Sequence, residues 1–398
     1  MSDPNEVDQN GNPVPETRVL AIASHVVYGY VGNTMATFCM QTLGCEVAAI
    51  NTVNFSNHTG YHQWTGTRTP APQITDLYAG LRNSNLLDYD VLLSGYIPSA
   101  DVLHEVTTIA RDLKFRRNTM NHGRFFWVLD PVMGDQGRLY VSEELVKGYR
   151  DAIGQGSEGP DLLVPNGFEL ELLSGVHLAG GGGGSEDGGG LQRKPTSDNF
   201  EADLGQVKKA IEVLHTRNGM PMVVVTSVRV QGKQDVLFVV GSEKKSDGSS
   251  RCFVVEVPVL DCYFSGTGDM FAGLMVARLR EEAAAAGLLN KASYASEDDV
   301  LATDLPLAKA TVKVLSSMSA VLEKTMQARN KEMEMWEGER KGMGQVASVD
   351  PQDHKGEEGG EERAKSLART KAAEVRAVRN ARDLIHPKIK FEAKELQE

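Results

Sequence analysis

The stretch FSGTGDMFAGLMVARLR (264–280) places Gly266, Thr267 and Gly268 directly before Asp269 and then continues as an apolar run. Glycines let backbone N–H groups converge, and a helix N-terminus adds partial positive charge, so the pattern indicates a helix that starts at an anion-binding turn. A plain tight turn is the alternative, because a short glycine motif alone is weak evidence. Asp269 is then either a residue that complements the helix dipole or a base directed at a substrate hydroxyl.

Upstream of this turn, short apolar runs alternate with segments that are long enough for a helix. Buried strands are predicted at VLAIAS (19–24), EVAAINTVNF (46–55), DVLLSGY (90–96), RFFWVLDP (124–131), DLLVPN (161–166) and MVVVTSV (222–228). A helix is predicted over 34–44, and a hairpin starting at 234 and 251 leads into the glycine turn. This alternation predicts an α/β fold of three layers, α/β/α, in which helices cover both faces of a central, mainly parallel sheet.

Polar residues end several of these predicted strands, namely Ser24, Tyr96, Asp130, Asn166 and Thr226. In an open parallel sheet the ligand site lies at the carboxyl ends of the strands, so we expect these side chains to converge there.

Composition narrows the class of function. The chain has 398 residues, 41% of them hydrophobic, and a net charge of -12 without a dominant basic face, which argues against nucleic acid as a partner. The polar N-terminal stretch and the lack of a membrane-length apolar run predict neither a secretory signal nor a membrane partner. The four cysteines lack Cys-x-x-Cys spacing, which is typical of free thiols, so a cytoplasmic or nuclear protein is expected.

Composition also divides the chain into segments. Residues 1–16 are predicted to be disordered, and 17–330 to form one domain that carries a flexible Gly-rich insertion at 179–198. The charged, Gly-interrupted segment 331–363 is predicted to be a loop, a linker or a frayed helix. The remainder, 364–398, is predicted to form a basic surface helix over 364–385 and an edge strand over 388–394 that completes the domain.

Several familiar motifs are absent from the sequence. Neither G-x-x-x-x-G-K-[ST] nor H-E-x-x-H occurs, which excludes a P-loop site and the corresponding zinc protease site. His58 and His62 flank Gly60 in a predicted loop, with no further ligands at zinc-site spacing. YGYVGN (28–33) lacks the full dinucleotide motif and is interpreted as a turn that shapes a pocket wall.

Oxygen-bearing side chains follow two of the predicted strands, in DPVMGD (130–135) and NGFE (166–169). Mg²⁺ prefers a few carboxylates together with phosphate oxygens and water, and Asp130, Asn166 and Glu169 supply such a set. Taken alone, Glu169 in a first helical turn more often complements the helix dipole. Together with the glycine turn, however, these residues predict a phosphoryl-transfer site without a Walker sequence.

These segments resemble the ribokinase-like superfamily and, within it, the eukaryotic pyridoxal kinases, over about residues 18–325. The segments that carry the resemblance are RVLAIASHVVYGYVGN, NTVNFSNHTGY, LLSGY, DPVMGD, LLVPNGFELELLSG, VVVTS and FSGTGDMFAG. FSNHTGY is the specific segment, whereas GTGD and Asn-x-x-Glu are shared across the superfamily. The resemblance implies phosphorylation of pyridoxal, pyridoxine and pyridoxamine by ATP, and a homodimer with one site in each subunit.

The resemblance also implies roles on the phosphate side of the site. Asp269 is the base for the 5′-hydroxymethyl group, and the amides of Gly266, Thr267 and Gly268 stabilise the transferring phosphoryl group. An ordinary aspartate pKa is expected to keep Asp269 ionised. The residues implied in nucleotide and Mg²⁺ binding are Asp130, Asn166, Glu169, Thr226 and Ser227, with Tyr140 on a lid-like loop over ATP.

On the vitamer side, the resemblance implies that Ser24 and Thr59 bind polar groups of the pyridine ring while Val53 and Tyr96 pack against it. His58 either lies beside this pocket or is a satisfied loop histidine. Val164 replaces a threonine that helps to hold a monovalent cation in other members, so activation by K⁺ is in question. The alternatives are a hydroxymethylpyrimidine or sugar kinase of the same fold, and a non-catalytic regulatory protein that binds vitamin B6.

Overall fold

A computed structural model of the protein describes residues 14–119, 124–154, 156–178, 201–346 and 357–396. The strands are β1 Arg18–Val26, β2 Glu46–Phe55, β3 Gly66–Arg68, β4 Val91–Ser94, β5 Phe126–Leu129, β6 Gly134–Asp135, β7 Arg138–Leu139, β8 Leu162–Leu163, β9 Glu201–Ala202, β10 Met222–Val230, β11 Lys233–Lys244, β12 Ser250–Pro258 and β13 Lys394–Glu395. The helices are α1 Gly32–Thr42, α2 Ala71–Asn83, α3 Ala100–Thr119, α4 Glu143–Ile153, α5 Gly167–Ser174, α6 Leu204–Arg217, α7 Thr267–Ala285, α8 Pro306–Val346, α9 Glu357–Ala372 and α10 Ala381–Ile385.

One large sheet organises the molecule, in the order β13-β12-β11-β10-β8-β5-β4-β1-β2-β3, with β9 paired to β10. Its centre, from β10 to β2, is parallel, and antiparallel strands close both edges. The short hairpin β6–β7 stands apart from this sheet. The predicted mainly parallel α/β fold is therefore confirmed.

Side-chain alternation along the strands builds two separate cores. On β1, Val19 and Ala21 face one core, whereas Leu20 and Ile22 face the other. The first core is closed by α1, α7 and α8, and the second by the helices from α2 to α6. Burial on both faces explains why these strands read as continuous apolar runs in the sequence.

All the predicted strands form, but several are shorter or longer than the apolar runs from which they were predicted. The second strand matches its predicted bounds, while the runs at 90–96, 124–131 and 161–166 yield only the short strands β4, β5 and β8. The residues that follow those three strands leave the sheet and enter the site. The predicted helix at 34–44 corresponds to α1, and Gly44 beyond its end has a φ of 90°.

The prediction of a loop is wrong for 331–346, because α8 continues through this segment without a break at residue 330. Its lysine, glutamate, arginine and methionine residues are strong helix formers. α9 packs alongside, with Lys365 Nζ 3.1 Å from Glu337 Oε1 and the Arg376 guanidinium, just beyond α9, 2.5 Å from Glu332 Oε1. These contacts supply tertiary support that composition does not reveal.

The C-terminal region is also more interrupted than predicted. α9 ends at Ala372, and the chain turns before α10 rather than continuing as one helix to 385. The edge strand forms at Lys394–Glu395 against β12, and is shorter than the predicted 388–394. Of the segment 1–16 that is predicted to be disordered, residues 1–13 lie outside the described residues, and so does the Gly-rich insertion at 179–198. Val14, the first described residue, is buried. Within the described parts of the chain, no helix combines the length and apolar character needed to cross a membrane.

Candidate active site

The glycine turn before α7 is shaped for an anion. Gly266 precedes the helix with a φ of 80°, and a Cβ atom there would lie 2.1 Å from the carbonyl oxygen of Tyr30, so only glycine fits. No side chain caps the helix, which leaves the N–H groups of its first turn directed at the space in front of Thr267 and Gly268. The free N–H groups at this helix end would suit an anionic ligand.

Asp269 lies in the first turn of α7, half-buried and enclosed by protein. Its carboxylate accepts a hydrogen bond from the N–H group of Gly32, but burial outweighs this bond and raises the pKa of Asp269 to about 6. The expectation of an ordinary pKa is therefore wrong. Gly32 has a φ of 55°, and a Cβ atom on it would lie 2.1 Å from the carbonyl oxygen of Ser24. YGYVGN lies between the end of β1 and the start of α1, so its interpretation as a turn between a strand and a helix is confirmed.

Asp130 faces the same turn from the end of β5. A Cβ atom placed on Gly268 would lie 3.8 Å from Oδ2 of Asp130. Burial and the negative charges of Glu169 and Asp269 raise the pKa of Asp130 well above its ordinary value. Among the described residues, no hydrogen bond or basic side chain compensates this carboxylate. A buried group of carboxylates of this kind fits a cation that arrives with a ligand.

Asn166 and Glu169 form a capping box at the start of α5. The Asn166 side chain accepts a hydrogen bond from the Glu169 N–H, and Glu169 accepts one from the Asn166 N–H, each at 2.9 Å. Glu169 also accepts hydrogen bonds from Met133 N–H at 2.8 Å and Gly134 N–H at 3.4 Å. Burial raises the pKa of Glu169 to about 7 despite these donors. Among the described residues, no group of three or more His, Cys, Asp or Glu side chains is arranged to hold a metal ion.

The predicted nucleotide residues line the far side of the turn. Thr226 bridges to Asn166, and the pairing of β10 with β11 shifts register between Val225 and Val228, which turns Ser227 outward with a φ of 56°. Tyr140 follows the β6–β7 hairpin and is 58% exposed, so the lid residue stands at the rim of the site.

The predicted vitamer residues lie at the ends of β1, β2 and β4. Ser24 contacts the Gly32 turn, Val53 is buried on β2, and the Thr52 hydroxyl donates to the Tyr96 carbonyl at 2.7 Å. Thr59 is exposed in a short 3-10 turn, Thr59–Tyr61. That turn approaches the catalytic one, since a Cβ atom on Gly60 would lie 3.5 Å from Ser265 Oγ.

Glu374 is the site residue that the sequence did not predict. It lies just beyond α9, and its carboxylate contacts His58 at 3.0 Å and the Tyr61 hydroxyl at 2.9 Å. Sequence offers no signal for it, because it is separated from His58 by 316 positions. His58 is thus a partnered loop histidine and also lies next to the pocket.

The mainly parallel α/β sheet, the uncapped glycine turn at the start of α7 and the half-buried aspartate beside it are features of an α/β kinase of the ribokinase-like class. No protein-family model matches the chain. Individual relatives do: it is 35% identical over 309 residues to a putative pyridoxal kinase of Schizosaccharomyces pombe, covering 77% of this chain and 85% of the relative. It is 35% identical to human pyridoxal kinase over 272 residues, covering 66% and 77% of the two chains. The chain belongs to the pyridoxal kinase family.

Solved structures agree with this assignment. Pyridoxal kinase from Leishmania donovani in complex with ADP and ginkgotoxin superposes with a TM-score of 0.69 at 26% identity, covering 96% of this chain and 100% of that one. The same enzyme with ADP and pyridoxamine gives a TM-score of 0.68 at 27% identity, with the same coverage.

Proposed function

We propose that this protein transfers the γ-phosphoryl group of ATP to the 5′-hydroxymethyl group of pyridoxal, and also of pyridoxine and pyridoxamine. The observation that carries the proposal is the position of the Asp269 carboxylate, which lies enclosed by protein in the first turn of α7. It lies beside a turn that requires glycine at position 266. Membership of the pyridoxal kinase family and the FSNHTGY loop, which approaches that turn through Gly60, support the choice of acceptor.

Asp269 is the general base in this proposal. The hydroxyl oxygen of the vitamer attacks the γ-phosphorus in line, its proton passes to Asp269, and the bond to the β-phosphate oxygen breaks to release ADP. A raised pKa of about 6 suits the task, because the carboxylate is still ionised at neutral pH and is more basic than an ordinary aspartate. The N–H groups of Gly266, Thr267 and Gly268 stabilise the charge on the transferring group.

Asp130 would hold the divalent cation, Mg²⁺, that accompanies ATP. Its carboxylate has no competing donor among the described residues and lies beside Gly268 at the phosphate turn. The bound cation would neutralise charge on the phosphates. Asn166 and Glu169 would assist through bound water, because their side chains are already engaged in the capping box. Thr226 and Ser227 contact the phosphates, and Tyr140 folds over the nucleotide.

The vitamer pocket follows from the loops that meet at the strand ends. Ser24 and Thr59 bind polar groups of the pyridine ring, and Val53 and Tyr96 pack against it. Val164 is buried and has no side-chain oxygen, so it gives a monovalent cation no ligand. We expect little change in rate when tetramethylammonium replaces K⁺, and a clear loss of rate would show that other groups hold the ion.

A coupled kinase assay tests the function. We expect turnover with ATP, Mg²⁺ and pyridoxal, pyridoxine or pyridoxamine, and none with hydroxymethylpyrimidine or a sugar. Turnover on the pyrimidine alone would keep the fold and the base but overturn the acceptor. Binding of pyridoxal without turnover on any vitamer would indicate a regulatory protein instead.

We also propose a cytoplasmic homodimer in which each subunit carries a complete site. All four cysteines are free, which fits a reducing compartment. Light scattering of the purified protein is expected to give twice the chain mass, and a single chain mass would contradict the dimer.

A further inference from the structure

Glu374 joins three parts of the chain that are distant in sequence. Its Oε1 atom lies 3.0 Å from His58 Nε2 and 2.9 Å from the Tyr61 hydroxyl, and its Oε2 atom accepts the N–H of Tyr30 at 3.3 Å. His58 and Tyr61 belong to the FSNHTGY loop, while Tyr30 belongs to the turn whose carbonyl faces Gly266. One carboxylate thus links the FSNHTGY loop (55–61), called the vitamer loop below, to the turn at 28–30. The 28–30 turn in its place packs against Gly266 of the glycine turn before α7, called the phosphate turn.

The surroundings of Glu374 are built for this contact. Gly29 has a φ of 101°, and a Cβ atom on it would lie 2.7 Å from Glu374 Oε2, so the backbone comes close only because residue 29 is glycine. The side chain of Glu374 is 14% exposed. Nearby, Arg363 on α9 donates to Gln63 at 2.5 Å, which holds the helix against the same loop.

His58 is the group on which Glu374 acts. A carboxylate accepts hydrogen bonds only, so His58 donates from Nε2, and in the neutral imidazole its Nδ1 atom is then an acceptor. Nδ1 is buried and has no partner among the described residues. It lies beside Gly60, where a Cβ atom would be 2.9 Å from it and 3.5 Å from Ser265 Oγ, and therefore on the side of the catalytic turn.

We propose that Glu374 is a positioning residue for the phosphorylation of the vitamer: it fixes the vitamer loop and holds His58 as the tautomer protonated on Nε2. The inference rests on the proposed function for its substrate. It assigns the region beyond α9, at the far end of the sequence, a direct part in assembling the pocket. We expect the effect on the vitamer to exceed the effect on ATP, because two of the three side-chain hydrogen bonds that Glu374 makes among the described residues are to the vitamer loop and the third is to Tyr30.

Two variants of Glu374 test this role, with Glu361→Gln on the exposed face of α9 as the matched control. For Glu374→Ala we expect the KM for pyridoxal to rise about tenfold or more, while the KM for ATP stays within about twofold. Glu374→Gln keeps the size of the side chain but must present an amide N–H₂ to one of its present donors. A role in packing alone predicts that Glu374→Gln behaves as wild type, whereas positioning predicts a rise in the KM for pyridoxal.

Two readouts do not depend on turnover. Hydrogen exchange of the free protein is expected to show faster exchange of the Tyr30 amide and of the loop amides at 58–62 in Glu374→Ala. The ¹⁵N spectrum of the imidazoles, with His58→Asn for assignment, is expected to show the Nε2–H tautomer in wild type and its loss in Glu374→Gln. Unchanged exchange and an unchanged tautomer would overturn the inference even if the kinase is active. An inactive wild-type protein would instead refute the proposed function and leave these two readouts to decide on Glu374.

Discussion

Glu169 and Asp269 occupy equivalent places in two helices, the first turn of α5 and the first turn of α7, and both approach Asp130. Glu169 is 4% exposed and accepts hydrogen bonds from the backbone N–H groups of Met133, Gly134 and Asn166. Asp269 receives the Gly32 N–H and otherwise faces the phosphate turn. An acidic residue at the third position of the helix therefore accepts hydrogen bonds from a neighbouring loop in α5, whereas in α7 it lies beside a helix end that no side chain caps.

The difference comes from what stands in front of each helix. α5 is preceded by Asn166, whose side chain accepts a hydrogen bond from the Glu169 N–H in the first turn of the helix. α7 is preceded by Gly266, which has no side chain that could cap the helix. The N–H groups of the first turn of α7 are therefore free to bind a ligand. A capped helix end keeps its acid for structure, and an uncapped end can place its acid beside a bound anion.

The largest effect on catalysis is expected from a substitution of Asp269, the acid in the first turn of α7. Asp269→Asn keeps the shape of the side chain but cannot accept the proton, so kcat is expected to fall by about 10³-fold. The Kd for ATP, measured by calorimetry, should change little. Asp261→Asn, an exposed change in the preceding loop, serves as the control. Near-normal turnover of Asp269→Asn would remove Asp269 from the role of base.

A pH series sharpens the same point. Because burial raises the pKa of Asp269 to about 6, the base is protonated below that pH and ionised above it. The ratio of wild-type to Asp269→Asn rates is expected to fall about tenfold per pH unit below 6 and to be flat above 7. Taking the ratio cancels the titration of ATP and vitamer, which both enzymes share. A ratio that stays constant down to pH 4.5 would mean that Asp269 has an ordinary pKa.

The complementary substitution is at Glu169 in α5, where we expect an effect on stability. Glu169→Gln places an amide N–H₂ against backbone N–H donors and leaves at least one buried donor without an acceptor, which costs about 1–3 kcal/mol of unfolding free energy. Urea unfolding would measure this loss, and Glu144→Gln, an exposed acid in the first turn of α4, is the matched control. A variant of unchanged stability whose kcat falls as far as that of Asp269→Asn would instead make Glu169 a direct ligand of the cation.

Much of the fold was readable from local sequence because central strands buried on both faces carry unbroken apolar runs. The glycine turn at α7 was readable for a similar reason, since it lies within a few consecutive residues. The contrast between Glu169 and Asp269 could not be predicted from local sequence. It depends on the N–H groups of Met133 and Gly134, at the start of the β6–β7 hairpin, which donate hydrogen bonds to Glu169. The raised pKa of Asp269 arises from burial within the fold, and Glu374 comes from the opposite end of the chain.

The smallest effect is expected on the melting temperature, from a substitution of Asp130, the carboxylate after β5 that both Glu169 and Asp269 approach. Its folded pKa is raised, so the stability it contributes is complete below the ordinary pKa of the unfolded chain and is lost as pH rises through the folded pKa. Without ligands at pH 8, Asp130→Asn is therefore expected to melt about 1–2 °C higher than wild type, since an unfolding entropy of about 2.1 cal/mol/K per residue makes 1 kcal/mol equivalent to about 1 °C in a chain of 398 residues. At pH 4.5 the two proteins should melt closer together. Adding Mg²⁺ and ATP is expected to stabilise wild type and to stabilise Asp130→Asn less, because the variant lacks the charge that holds the cation. Equal stabilisation of both proteins would show that the cation is held elsewhere, while a variant that melts lower at pH 8 would show that Asp130 has a structural partner in the folded protein.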